Sequence, residues 1–306
     1  MTPCLHDMAR GLPLAPLDDP EGAAVPPAAD TGGEVIDAHV HLFPDRVFEA
    51  LWRWFDRHAW RVRYRLRAEE VVAFLRARGV AGIVALLYSH APGMARELNR
   101  FAAEIARAHA GFVHACGTVL PGEPDAGEIA REALGPLGLH GLKIHCHVQK
   151  IAADDPRLEP IYEACRAARK PVVIHAGREP RSPAYGIDTH AICDAGRVGR
   201  VLERFPGLTM VVPHLGSDEF VEYAALLDRH EGLYLDTTMS VAGFFPVAPP
   251  PDLVARNAGR ILYGTDFPNL PYAWDRELRR LVADAGLDAA GRRALFSGNA
   301  RRVFGI

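Results

Sequence analysis

Eight short apolar runs recur along this chain from Glu34 onward, separated by stretches with helical spacing. The runs occupy 35–42, 81–89, 112–120, 140–148, 171–177, 208–216, 233–239 and 261–268. Between them, 93–109 sets Leu98, Phe101, Ala102 and Ile105 on one face, and 157–170 does the same with Leu158, Ile161, Tyr162 and Cys165. Strands alternating with helices imply βαβ units and a parallel sheet. Eight such units over about 270 residues fit an α/β fold of the (β/α)8 TIM-barrel type. An open doubly wound sheet is the rival, but the G-x-G-x-x-G turn that would follow its first strand is missing. The expected organisation is a barrel at 34–306 behind a flexible or loosely docked N-terminal arm at 1–33, which holds six prolines. Residues 288–304 read as a terminal helix with Asn299 as its cap.

Composition narrows the function. The 306 residues are 49% hydrophobic and 24% charged, with a formal net charge of −3. These are globular values with no basic footprint for nucleic acid. The apolar runs are strand-sized, so no membrane span is expected. The N-terminus lacks the apolar stretch of a secretory signal. Five cysteines at no disulfide-like or metal-like spacing suggest free thiols in a reducing, cytoplasmic setting. Only three of the 35 basic residues are lysine: Lys143, Lys150 and Lys170. A lysine inside a strand-like run, as Lys143 is, therefore draws attention.

Five of the runs carry His, Lys or Asp near their C-terminal ends, where barrel enzymes do their chemistry. The first has His39 and His41, the fourth Lys143, His145 and His147, the fifth His175, the sixth His214 and the eighth Asp266. Residues two apart share a strand face, so His39 and His41 can bind one ion together. His175 and Asp266 would complete a set of three nitrogens and one oxygen with a position left open. A lone strand-end histidine is more often structural than ligating; the joint placement is what argues for a metal.

With these residues in view, the chain resembles the amidohydrolase superfamily. The likeness is to its amidohydrolase-related branch, which includes aminocarboxymuconate-semialdehyde decarboxylase and the resorcylate decarboxylases. The matching strings are IDAHVHLFPD (36–45), GLKIHCHVQ (141–149), RKPVVIHAG (169–177), VVPHLG (211–216), YGTDFP (263–268) and GNARRVFGI (298–306). The resemblance spans 34–306 in the expected order and leaves the arm without a counterpart. It implies a (β/α)8 barrel with one divalent metal held by His39, His41, His175 and Asp266, and a catalytic role for His214. Related binuclear enzymes carry a carbamylated lysine on the fourth strand, bridging two metals. In the mononuclear branch the same G-x-K-x-H pattern leaves the lysine unmodified, to pair with Asp266 or with an anionic substrate. The unmodified reading of Lys143 is favoured. The family pattern puts His145 in the pocket, while His147 reads as the start of a loop.

Imidazoles with one carboxylate suit Zn²⁺ first, with Mn²⁺ or Fe²⁺ as alternatives. A second metal is expected only if Lys143 is carbamylated. An ion in an open site lowers the pKa of a bound water toward about 7. Asp266 can accept that water's proton, and His214 can polarise a carbonyl or shuttle a proton. Asp37 reads as a supporting carboxylate rather than a ligand. Arg178 is a candidate clamp for a substrate carboxylate; for Arg181 a solvated loop position is at least as good a reading. The alternation Arg61, Arg63, Arg65, Arg67 reads as a basic lid or, better, as an exposed edge paired with Glu69 and Glu70. Tyr88, His90 and Asp236 are candidate walls that nothing singles out.

The expected activity is that of a metal-dependent hydrolase cleaving an ester, lactone or amide of a small anionic carboxylate, with Asp266 and His214 catalytic. A non-oxidative decarboxylase, a lyase of the same branch, is the alternative. The short core, without extra loops for a ring substrate, tilts the balance to hydrolysis. A metal-dependent nuclease fits less well: it would want Glu on the fourth strand and Glu-Thr-Asp on the eighth, where this chain has Lys143 and Gly264-Thr265-Asp266. A homo-oligomer is compatible with the sequence.

Overall fold

Runs of Val, Ile and Leu buried on both faces make parallel strands, and the helices between them supply the crossovers. The computed structural model describes residues 12–284 and 286–306. Its strands are β1 (Ile36–His41), β2 (Gly82–Leu86), β3 (Val113–Ala115), β4 (Gly117–Thr118), β5 (Leu142–His145), β6 (Val172–His175), β7 (Met210–Val212), β8 (Leu233–Asp236) and β9 (Ile261–Leu262). Each expected run is present, the third broken at Cys116 into β3 and β4. Helices such as Asp45–His58, Ala95–Ala108, Glu159–Ala168 and Phe220–Arg229 alternate with them.

The strands pair in sequential order as two arcs, β1–β2–β3 and β4 through β9. Backbone hydrogen bonds carry the sheet across both joints. At the first, His140 N donates to Ala115 O and Gly117 N to Gly141 O. At the second, Ala38 N donates to Tyr263 O, Asp266 N to His39 O and His41 N to Phe267 O. The last run thus returns to the first, and the sheet curls into a (β/α)8 barrel. Gly264 permits that return: a Cβ there would lie 2.8 Å from His39 Cβ and 2.7 Å from Thr238 Oγ1.

Ile36, Val84, Leu86, Val173, Val211 and Leu262 fill the barrel, and Ala300, Val303 and Phe304 pack against them from the C-terminal helix. Removing the Phe304 ring would cost about 3–5 kcal/mol. That helix runs through Ala289–Arg293, a wider turn at Ala294–Gly298, and Asn299–Phe304. Asp288 caps it by accepting from Gly291 N. Asn299 is not the cap that the sequence suggested. It is buried, and its Nδ2 donates to Ala258 O at 2.7 Å and Ile261 O at 2.6 Å, stitching the helix to β9.

From residue 12 the N-terminal segment is docked rather than loose. Leu14 N donates to Ala59 O and Leu17 N to Pro271 O. Asp19 accepts from Ala273 N and pairs with Arg63 at 3.2 Å and Arg276 at 3.1 Å. The arginine alternation is no basic lid. Arg63 faces Asp19 and Glu21, Arg65 faces Asp56, and Arg67 faces Asp45 and Glu49. Glu70 accepts from Arg67 N, whereas Glu69 pairs with His109. Cys4 lies outside the described residues; Cys116, Cys146, Cys165 and Cys193 are buried free thiols. Among the described residues no helix is long and apolar enough to cross a membrane.

Candidate metal centre and active site

The strand ends deliver their polar side chains to one cavity, as the sequence suggested. A register shift in β1 between Asp37 and Val40 accompanies a local turn. Asp37 holds it, accepting from His39 N at 3.1 Å, Thr265 N at 3.1 Å and the Thr265 hydroxyl at 2.6 Å. Burial pushes the Asp37 carboxyl up to about 7. Its role is to pin the seam beside the site. Asp266 and His214 sit in left-handed backbone, at φ 76° and 61°. Such conformations cost on the order of 1–3 kcal/mol each and cluster at functional sites.

His39, His41 and Asp266 form one group whose donor atoms all lie within 4.8 Å of one another. The protons on the two rings show what would complete the group. His39 Nδ1 donates to Asp236 Oδ2 at 2.8 Å, and His41 Nδ1 donates to Leu86 O at 3.2 Å. In neutral rings both Nε2 atoms then carry lone pairs. Yet His41 Nε2 lies 3.0 Å and His39 Nε2 3.4 Å from Asp266 Oδ1, another acceptor. Burial, with Lys143 nearby, pushes His39 down to about 4, so its ring stays neutral near pH 7. Three acceptors converging without a proton between them fit a cation, and the donor set of two imidazoles and a carboxylate is that of a divalent metal.

Asp236, which the sequence left undistinguished, organises this group. Its Oδ2 takes the His39 proton, while Oδ1 accepts the amides of His214 and Thr238 at 3.1 Å each. Burial alone would raise its pKa; His39 and His214 overcome that and hold it at about 2. A lone Asp in the apolar run LYLDTTM was the available signal, because a buried carboxylate needs partners.

His175, expected as the fourth ligand, falls in a second group with His145 and His147. His145 and His175 are partners across the β5–β6 ladder, so their rings share a face and stack at 4.2 Å and 11°. His175 Nε2 donates to Glu179 O at 3.3 Å, and its Nδ1 lies 3.2 Å from His214 Nε2. His214 Nδ1 donates to Thr238 O at 3.0 Å. Burial and neighbouring imidazoles hold His145 and His175 well below the ordinary histidine value, and burial lowers His214.

The cavity encloses about 820 Å³, solvent at its mouth included, and contains His39, His41, Lys143, His145, His175, His214 and Asp266. Residues that sequence reasoning passed over supply its aromatic walls: Trp54 and Phe55 from the helix Asp45–His58, with Trp60, Tyr185 and Phe245 from later connections, joined by Tyr88. Lys143 is the sole lysine or arginine among the lining residues. Burial lowers it to about 8, with Asp236 and Asp266 opposing that fall, so it remains mostly charged at neutral pH. Arg178 is not in the lining. Its guanidinium grips Asp218 through two bonds of 3.1 and 3.0 Å and lies 3.5 Å from Glu219. That engagement replaces the substrate clamp expected of it. Arg181 pairs with Asp188.

No curated relative matches the sequence. Solved structures do. A TIM-barrel protein of Bordetella bronchiseptica aligns at 21% identity and TM-score 0.68, over 89% of this chain and 98% of that one. The 5-carboxyvanillate decarboxylase of Novosphingobium aromaticivorans, solved with manganese and 4-hydroxy-3-methoxy-5-nitrobenzoic acid, aligns at 16% and 0.64, over 94% and 100%. The 4-oxalomesaconate hydratase of Rhodopseudomonas palustris aligns at 16% and 0.61, over 89% and 95%. The family model described as Amidohydrolase matches residues 36–306, nearly the whole barrel. The chain belongs to the amidohydrolase family.

Proposed function

We propose that this chain is a metal-dependent enzyme that removes the carboxylate of a small, planar, anionic acid as carbon dioxide. One observation carries the reading: an aromatic-walled cavity whose single cationic side chain, Lys143, lies among the donors of a metal group. His39, His41 and Asp266 would hold the ion, with His175 from the end of β6 as the fourth ligand. Zn²⁺ or Mn²⁺ suits these donors, and the decarboxylase neighbour was solved with manganese. When bound, the ion supplies Lewis-acid polarisation of a substrate oxygen.

The chain's own residues do the rest. The Lys143 ammonium attracts the carboxylate, and the aromatic walls hold the planar body and exclude water. The bond between ring carbon and carboxylate breaks, its electron pair stays on the carbon, and a proton replaces carbon dioxide there. His214 would deliver that proton: Nδ1 is committed to Thr238 O, so Nε2 is the atom that gains and returns it. Burial lowers the His214 pKa, which makes its protonated form a stronger acid.

Hydrolysis of an ester, lactone or amide would use the same donors, with Asp266 accepting a proton from the attacking water. Core length favoured that reaction on sequence grounds. A decarboxylase covered over 100% of its own length by this chain removes the argument. The buried free thiols fit a reducing, cytoplasmic setting. The test is a panel of hydroxylated aromatic and muconate-like acids beside carboxylated lactones, with carbon dioxide release and ring opening followed in parallel. Carbon dioxide from the acids supports the proposal; lactone opening without carbon dioxide from any acid overturns it in favour of hydrolysis.

A further inference from the structure

We propose that Glu179 and His190 are a positioning pair for the metal centre: together they hold the Glu179 carbonyl on His175 Nε2, so that His175 Nδ1 presents its lone pair to the ion. This rests on the metal-dependent reading, with His175 as a ligand; Glu179 and His190 are themselves outside the groups of metal donors. Glu179 follows the end of β6, is buried and lines the cavity. His190 lies in the short helix Thr189–Ile192 that ends the same loop.

All three oxygens of Glu179 are engaged. Oε1 accepts from His190 Nε2 at 2.7 Å and Oε2 from Arg181 N at 2.6 Å. The backbone oxygen accepts from His175 Nε2 at 3.3 Å and from the Ser217 hydroxyl at 3.2 Å. Side chain and carbonyl belong to one residue, so a carboxylate clamped at both oxygens limits where the carbonyl can point. The loop between the two residues closes on itself: Arg181 pairs with Asp188 at 3.2 Å, and Asp188 accepts from His190 N at 3.2 Å. The Arg181–Asp188 pair is open to solvent, where ion pairs are worth little, whereas the His190–Glu179 contact is sheltered. The sheltered contact is therefore the stronger anchor.

What the anchor decides is a tautomer. The hydrogen bond made by one imidazole nitrogen sets whether the other can ligate. With its proton on Nε2 and directed to Glu179 O, His175 keeps Nδ1 bare. A rival arrangement is close at hand. His175 Nδ1 lies 3.2 Å from His214 Nε2, which is bare because His214 Nδ1 donates to Thr238 O. A proton on His175 Nδ1 would bond to His214 and close His175 to the ion. The bond from His175 Nε2 to Glu179 O is long, at 3.3 Å, so the balance between the two tautomers turns on where that carbonyl points.

The experiment reads the tautomer and the ion separately. Long-range proton–nitrogen correlation spectra of metal-free, full-length protein with isotope-labelled histidine report which nitrogen of His175 carries the proton; the signals lost in His175→Gln assign it. The Nε2–H form is expected in the wild type and a mixture or the Nδ1–H form in His190→Leu. His190→Gln, whose amide can still donate to Glu179, should restore the Nε2–H form. Zn²⁺ affinity, measured against a chromophoric chelator, should fall about 10- to 100-fold in His190→Leu and recover in His190→Gln. A merely structural loss would lower the unfolding midpoint without moving the His175 proton. An unchanged tautomer in His190→Leu overturns the positioning role even where the wild type takes up its ion, and so does a tautomer that moves with no loss of affinity. A wild type that takes up no Zn²⁺ overturns the metal centre itself, whatever the tautomer does. If His190→Leu fails to fold, Glu179→Gln replaces it: its amide offers one acceptor oxygen to two donors, and the same shift and the same loss are expected.

Discussion

His39 Nδ1 meets Asp236 Oδ2 across 2.8 Å, joining the end of β1 to the end of β8 through two side chains that are each 1% exposed. The carboxylate fixes which ring nitrogen carries the proton and so leaves Nε2 bare. Asp236→Asn is therefore expected to lower affinity for the ion at His39, His41 and Asp266 by about 10- to 100-fold. Competition with a chromophoric chelator measures this; an unchanged dissociation constant would show that His39 needs no such orientation.

His214 lines the cavity but is outside the His39, His41 and Asp266 group. Asparagine in its place can keep a polar contact and cannot shuttle a proton. His214→Asn should leave that group's ion in place while turnover falls by about 100- to 10,000-fold. Elemental analysis alongside steady-state kinetics tests it, and retained turnover would remove His214 from the proton path.

Lys143 and Arg178 were both candidates for substrate binding, and the structure separates them. Lys143→Met should raise KM for an anionic substrate by about 10- to 100-fold, the weight of a charge-assisted hydrogen bond. Arg178→Met should leave KM unchanged and lower unfolding free energy by about 1–3 kcal/mol, because Asp218, only 6% exposed at its side chain, loses a bidentate partner. Kinetics and urea denaturation of the two variants give the contrast; a KM effect at Arg178 would return it to the site.

Glu277 is buried beside Tyr272, whose hydroxyl donates to it at 3.2 Å. Burial pushes its carboxyl well above the ordinary 4.5. The folded state then binds a proton that the unfolded chain releases, so wild-type stability falls as pH rises above about 4.5 toward the folded pKa. Glu277→Gln keeps the shape without the titration. Urea melts at about pH 5 and about pH 8 should show a smaller loss of stability across that interval in the variant than in the wild type.

Strand count, strand order and the placement of His39, His41, Lys143, His214 and Asp266 around one cavity were legible because alternation and strand-end position depend on spacing alone. The rotamers of the histidines were not. Whether His175 turns toward His41 or lies flat on His145 depends on ladder register and rotamer, which spacing does not encode. Asp236 looked like any strand aspartate until its two oxygens were seen serving His39 and His214. Tyr185 and Phe245 lie in connections whose periodicity says nothing about which way they fold. Asn299 matched a cap by residue type, yet buried carbonyls at Ala258 and Ile261 claimed its amide.

The docked N-terminal segment ties together the two connections that carry Trp60 and Asn269, both of which line the cavity. Asp19 ties Arg63, in the connection that carries Trp60, to Ala273 and Arg276 in the connection after β9. Trp60 in turn donates its indole N–H to Asn269 O. The described residues upstream of the matched 36–306 thus brace a cavity wall, and none of them belongs to the His39, His41 and Asp266 group. A change in the leading segment can therefore shift the wall at Trp60 while the strand-end donors stay in place.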